Sequence, residues 1–122
     1  MKPRFFELAR RMTMYSCHTK HRIGAVLVQK NHVVSVGANR STQTHPKSTN
    51  RWRSIHAELD AILGVPAWRL RGSTIYVVRV TKSGLLAHSK PCADCAAMLI
   101  AAKVHRFCYI GPTREFRSEL AI

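Results

Sequence analysis

Two short stretches of this chain, His56-Ala57-Glu58 and Pro91-Cys92-Ala93-Asp94-Cys95, each stand at the head of an apolar run. Leu59, Ile62 and Leu63 follow the first, and Ala96, Met98, Leu99 and Ala102 follow the second, at the spacing of one helix face. Both stretches therefore read as the opening turns of helices, with Ser54 as the expected N-cap of the first. One imidazole, two sulfurs and one carboxyl can meet only if the fold brings two helix N-termini together. Open α/β sheets do this, because strand carboxyl ends and helix N-termini collect along one rim where ligands bind.

The residue types suit a metal. A tetrahedral zinc that performs chemistry keeps three protein ligands and leaves a fourth position open, and His56 with Cys92 and Cys95 is an allowed set. The two cysteines lie one helical turn apart, so both sulfurs can reach one ion. Free N–H groups and the dipole at a helix N-terminus favour thiolate over thiol, which predicts a site that is partly deprotonated in advance. Pro91 is expected in the first turn, where its missing N–H would have gone unbonded. Glu58 then stays outside the ligand set, beside the ion, as a group that moves a proton. The competing reading is a closed structural zinc site, which uses four protein ligands; no fourth cysteine or well-placed histidine is evident.

Along the chain, residues 2–15 place Phe5, Leu8, Ala9 and Met12 at helical spacing and read as an amphipathic helix. Residues 23–28 and 33–37 are β-branched runs around Gln29-Lys30-Asn31-His32 and read as a hairpin, with Asn39 at the strand end. Residues 40–53 hold Arg40, Lys47, Arg51 and Arg53 with Trp52 and no acid. That pattern suits a single nucleic-acid strand, cations meeting phosphates while a base stacks on the ring, and suits an ordinary loop equally well. Gly64 and Pro66 stop the helix that carries Glu58, and Trp68 is expected to pack. Residues 73–80 are mostly apolar, as in a strand covered on both faces. A loop over residues 81–90, a helix over 92–103, a strand over 106–110 and a short charged helix over 113–120 complete the pattern. The sum is an α/β chain, a three-layer α/β/α sandwich on a mixed sheet of four to five strands. A sheet edge left open at the end of the chain would invite a second subunit, hence a possible homo-oligomer.

The length of 122 residues is that of one domain, read as spanning 1–122. No apolar run reaches the length of a membrane span, and cysteines in metal-type spacing point to a reducing compartment, so the expected location is intracellular and no membrane partner is expected. The unusual quantity is charge: 20 Lys and Arg against 6 Asp and Glu give +14. Such a chain attracts polyanions, so nucleic acid is the first partner to consider, with a basic surface that serves only solubility or a mononucleotide phosphate as the plainer reading.

His56-Ala57-Glu58 followed by Pro91-Cys92-x-x-Cys95 resembles the signature of the zinc-dependent nucleobase deaminases, the cytidine and deoxycytidylate deaminase superfamily. Ile23-Gly24-Ala25-Val26-Leu27-Val28 resembles that superfamily's first core strand, and Val36-Gly37-Ala38-Asn39 the strand end whose asparagine contacts the substrate sugar. The resemblance covers roughly residues 20–112, in the family's order. It implies a cytidine deaminase-like fold, Zn2+ on His56, Cys92 and Cys95, Glu58 as the catalytic proton shuttle, and substrate contacts from Asn39 and the Ala57 N–H. The segment over 81–90 is longer than in close relatives and lacks the tryptophan that polynucleotide-editing cytosine deaminases carry there. The resemblance implies a dCMP-like nucleotide, while the charge and the loop with Arg51, Trp52 and Arg53 as candidate contacts favour cytosine in a single strand. Adenosine in tRNA and a non-catalytic zinc nucleic-acid-binding domain are the alternatives.

Overall fold

The computed structural model describes residues 2–16, 21–40 and 56–121. Helix α1 (Pro3–Met12) continues as a single 3-10 turn over Thr13–Tyr15. The strands are β1 (Arg22–Gln29), β2 (His32–Ala38), β3 (Thr74–Val80), β4 (Leu86–Ala87), β5 (Arg106–Ile110) and β6 (Phe116–Leu120), and the remaining helices are α2 (Ala57–Ile62), α3 (Ala67–Leu70) and α4 (Ala93–Ala101). The sheet runs β2-β1-β3-β5-β6, with β4 paired to the end of β3. Among the described strands only β3 and β5 are parallel, and α4 lies in the connection between them. The sheet is therefore mixed, with six strands rather than four or five.

The β1–β2 hairpin turns on Lys30 and Asn31, both at positive φ (51° and 66°), as a two-residue turn that matches strand twist requires. β3 sits between β1 and β5 and is buried along most of its length, which explains its lack of polar alternation. One face of the sheet packs Phe5, Phe6 and Ala9 of α1 onto Val26, Tyr76, Val78 and Ile110. The other packs Ala57 and Ala61 of α2 and Leu99 of α4 onto Ala25, Leu27, Ile75, Val77 and Tyr109. Helices thus cover both faces, giving the three layers.

Two glycines set how close the helices come. A Cβ on Gly24 would lie 2.1 Å from the Ala9 carbonyl of α1, and one on Gly37 would lie 2.6 Å from both the Ala57 carbonyl and the Ala61 nitrogen of α2. Ala25 pairs with Gly37 across the hairpin, so both layers rest on the same part of it. Gly37→Val must push α2 off the sheet, and we expect it to cost about 3 kcal/mol or more in urea unfolding. A cost below about 0.5 kcal/mol, the range of ordinary surface changes, would show that α2 does not depend on this contact.

The C-terminal segment is a strand and not the helix read from the sequence. Gly111 N–H bonds the Glu115 carbonyl at 2.7 Å and Arg114 takes φ 66°, closing a tight turn that lays β6 antiparallel on β5 from Arg106↔Leu120 to Ile110↔Phe116. A helix would have left the outer backbone groups of β5 without partners. Phe116 and Leu120 remain partly exposed, and Phe116 stacks on Phe6 at 4.2 Å between ring centroids. Trp68, expected to pack, is 73% exposed, because α3 is one turn that buries Leu70 and turns Trp68 to solvent under Arg69. Among the described residues no helix is long and apolar enough to cross a membrane.

Candidate metal centre

Both motif stretches stand at helix starts, one to two residues later than the sequence pattern placed them. His56 itself occupies the N-cap of α2 in extended conformation (φ −69°, ψ 151°), the place expected for Ser54, which lies outside the described residues. Cys92 occupies the N-cap of α4, and Pro91 precedes it instead of standing in the first turn. An N-cap side chain projects back over the exposed N–H groups of its helix, and Cys95 lies one turn on.

The donors meet. His56 Nδ1 is 3.1 Å from Cys95 Sγ and 3.8 Å from Cys92 Sγ, and the donor atoms of all three residues lie within 4.8 Å of one another. Tetrahedral zinc with ordinary bond lengths holds nitrogen and sulfur ligands roughly 3.6 Å apart, so the spacing is that of a metal site. Cys95 is buried and Cys92 exposed, leaving one side of the group open to solvent. Among the described residues this is the one His/Cys/Asp/Glu group that could hold an ion.

Glu58 points into the same region with 5% of its surface exposed, and its Oε1 is buried without a hydrogen-bond partner among the described residues. Desolvation raises the carboxyl's proton affinity, offset in part by its own backbone N–H, by His56 and by the Cys95 thiol. The Cys95 thiol is also pushed well above the usual range, first by burial and then by Glu58 and Cys92. At Cys95, burial therefore works against the thiolate that the helix N-terminus favours. A carboxyl and two thiols crowded together, one with an unpaired oxygen, are stabilised as anions by a divalent cation, and the residues fit zinc.

Two residues the sequence reading missed hold this geometry. Asp60 of α2 accepts the Ala38 N–H at 3.0 Å and pairs with Arg40, locking α2 to the end of β2. Ser89 is buried; its hydroxyl donates to the Val77 carbonyl at 2.6 Å and accepts the Ile110 N–H at 2.8 Å, while its own N–H bonds the Ile110 carbonyl at 2.9 Å. It clamps β3 to β5 where their ladder ends and delivers the chain to Pro91 and Cys92. An acid one helical turn past His56 and a serine just before Pro-Cys were the available signals, but neither names its partner.

The profile of the cytidine and deoxycytidylate deaminase zinc-binding region matches residues 1–111. The chain belongs to this family. A probable deoxycytidylate deaminase of Caenorhabditis elegans is 29% identical over 130 residues, covering 97% of this chain and 59% of the relative, so the chain spans less than two thirds of that protein. Among solved structures, a cytidine deaminase of Burkholderia pseudomallei superposes with TM-score 0.71 at 21% identity, covering 99% of this chain and 94% of its own. The dCMP deaminase of cyanophage S-TIM5 superposes with TM-score 0.58 at 21% identity, covering 86% and 81%. These likenesses carry the deaminase fold.

In this family member Ala57 is fully buried and opens α2 directly after His56. Asn39 is also buried, and its amide is engaged by backbone: Oδ1 accepts the Ile23 N–H at 2.9 Å and Nδ2 donates to the His21 carbonyl at 2.7 Å. It ties the start of β1 to the end of β2, keeping one oxygen lone pair and one N–H for any ligand. Arg51, Trp52 and Arg53 lie outside the described residues.

Proposed function

We propose that this family member is a zinc-dependent hydrolytic deaminase that converts cytosine to uracil and releases ammonia, acting at the nucleotide level. The observation that carries the reading is the buried Glu58 carboxyl with its unpaired Oε1, set beside a His56–Cys92–Cys95 group of metal-site spacing. A zinc site built only for stability gives no reason to bury a carboxyl there, because burial without a partner is costly.

His56, Cys92 and Cys95 would hold the ion. When bound, zinc supplies Lewis acidity, making water acidic enough to yield a proton near neutral pH. Glu58 Oε1 accepts a proton from the water whose oxygen adds to C4 of the base and passes it to ring N3; it then takes the proton of the new C4 hydroxyl and gives it to the exocyclic nitrogen, which leaves as ammonia as the C4–N bond breaks. The low exposure of Glu58 keeps bulk water from competing for the proton. The Ala57 N–H and the remaining capacity of Asn39 orient base and sugar.

The names of the C. elegans and cyanophage relatives support a deoxycytidylate-type substrate. The charge of +14 favours a second reading, cytosine within a single strand. Zinc-loaded protein assayed for ammonia with dCMP, deoxycytidine, a cytosine-containing oligonucleotide and tRNA tests both. Turnover of dCMP supports the first reading, and turnover of the oligonucleotide alone, falling steeply with salt, supports the second. No ammonia from any cytosine substrate sinks the proposal.

A further inference from the structure

We propose that Arg79, buttressed by His21, is a phosphate-recognition site on the metal-centre face of the sheet, so that substrate is read through a phosphate as well as through its base. The inference rests on the deaminase reading above and names what that site requires of its substrate.

Strand alternation sets the direction of Arg79. Ile75 and Val77 of β3 belong to the cluster shared with α2 and α4, and Arg79 is the next residue on that face. Its partner across the ladder, Ile23, packs on the same cluster. Arg79 therefore lies on the α2/α4 side at the carboxyl end of β3, the end at which open sheets bind ligands. The same rim carries the end of β2, from which Asn39 reaches the Ile23 N–H and the His21 carbonyl. Arg79 Nη2 donates to His21 Nδ1 at 2.5 Å. Since a guanidinium only donates, that nitrogen of His21 is the unprotonated one. Asn39 thus holds the His21 backbone while the His21 ring orients Arg79.

The donors of Arg79 are underused. Its Nε is buried without a partner, and none of the carboxylates in the ion pairs Arg40–Asp60, Lys90–Glu119 and Arg117–Glu115 pairs with it. A half-buried guanidinium bonded to one imidazole nitrogen keeps most of its fork for an anion, and the planar fork matches two phosphate oxygens at once. Arg22, at the same sheet end, faces the opposite layer: Val26 and Val28 on its side of β1 pack with α1, and its Nη2 is tied to the Thr81 carbonyl at 2.9 Å. Arg79 is therefore the guanidinium of this strand-end pair on the α2/α4 side, the layer whose helix starts carry the metal centre.

The test measures uracil formation by the full zinc-loaded chain on dCMP, on deoxycytidine and on a single-cytosine oligonucleotide. Arg79→Ala should lower kcat/KM for a phosphate-bearing substrate by about 10- to 100-fold, chiefly through KM, and leave deoxycytidine within about threefold. Arg79→Lys should recover part of the loss, and Arg11→Ala on the exposed side of α1 should change neither. Loss on dCMP assigns the site to a terminal phosphate, and loss on the oligonucleotide alone assigns it to a backbone diester. Equal loss on dCMP and deoxycytidine, or no loss on either phosphorylated substrate, overturns the proposal. Calorimetric titration with dUMP and deoxyuridine gives a readout without turnover. If the wild type makes no uracil, the deaminase reading fails, while Arg79→Ala weakening dUMP but not deoxyuridine still upholds the phosphate site. Unchanged or absent dUMP binding, with no loss on the oligonucleotide, rejects it.

Discussion

Glu58→Gln is expected to reduce ammonia release about a thousandfold or more while zinc stays stoichiometric. The amide has the shape of the carboxyl and can occupy the same buried place, but it cannot accept the proton that the attacking water must lose. Because Glu58 is not in the His56–Cys92–Cys95 group, its replacement leaves all three donor atoms in place. Elemental analysis of the purified variant and a coupled ammonia assay read the two consequences separately. Loss of both metal and activity would make Glu58 a ligand, and turnover within about tenfold of the wild type would remove it from proton transfer.

Cys95→Ser is expected to strip the site of stoichiometric zinc and to take thermal stability with it. Cys95 is the buried sulfur of the pair, 3.1 Å from His56 Nδ1, and a hydroxyl does not replace a thiolate as a zinc ligand. A ligand bound only by the folded chain, present at a hundredfold excess over its Kd, stabilises by about 2.7 kcal/mol. For a chain of this length that corresponds to roughly 10 °C in Tm. Chelator should lower the wild type to the variant's Tm and leave the variant where it is. A variant that keeps full zinc, or a wild type whose Tm ignores chelator, would exclude Cys95 from the site. Cys92→Ser, on the exposed side of the group, should lose metal with a smaller change in core packing.

Much of the site was legible because its chemistry is local. His56 and Glu58, or Cys92 and Cys95, are neighbours along one turn, so residue type and spacing reveal a donor pair before any fold is known. The central strand and the first hairpin were legible for similar reasons, continuous apolar residues and a polar stretch, Gln29 to His32, between β-branched runs, which the structure narrows to a turn on Lys30 and Asn31. The ambiguity over the last segment was physical. Phe116 and Leu120, four apart, share a face in a helix and in a strand alike, so their spacing does not distinguish the two. The open edge of β5 decided it, since β6 pairs that edge along five residues.

The one-dimensional order of residues determined which groups can ligate an ion, which carboxyl stands beside them, and that two helix starts had to converge. Tertiary structure alone decided the rest: Ser89 as the clamp from Val77 to Ile110, Asp60 as the anchor of α2, the burial that raises the Cys95 thiol, and Arg79 against His21 on the α2/α4 side of the sheet. These depend on which backbone group or face lies opposite a residue 12 to 58 positions away in the chain. Spacing encodes neighbours along an element, whereas desolvation and hydrogen-bond pairing depend on which elements come to lie against one another.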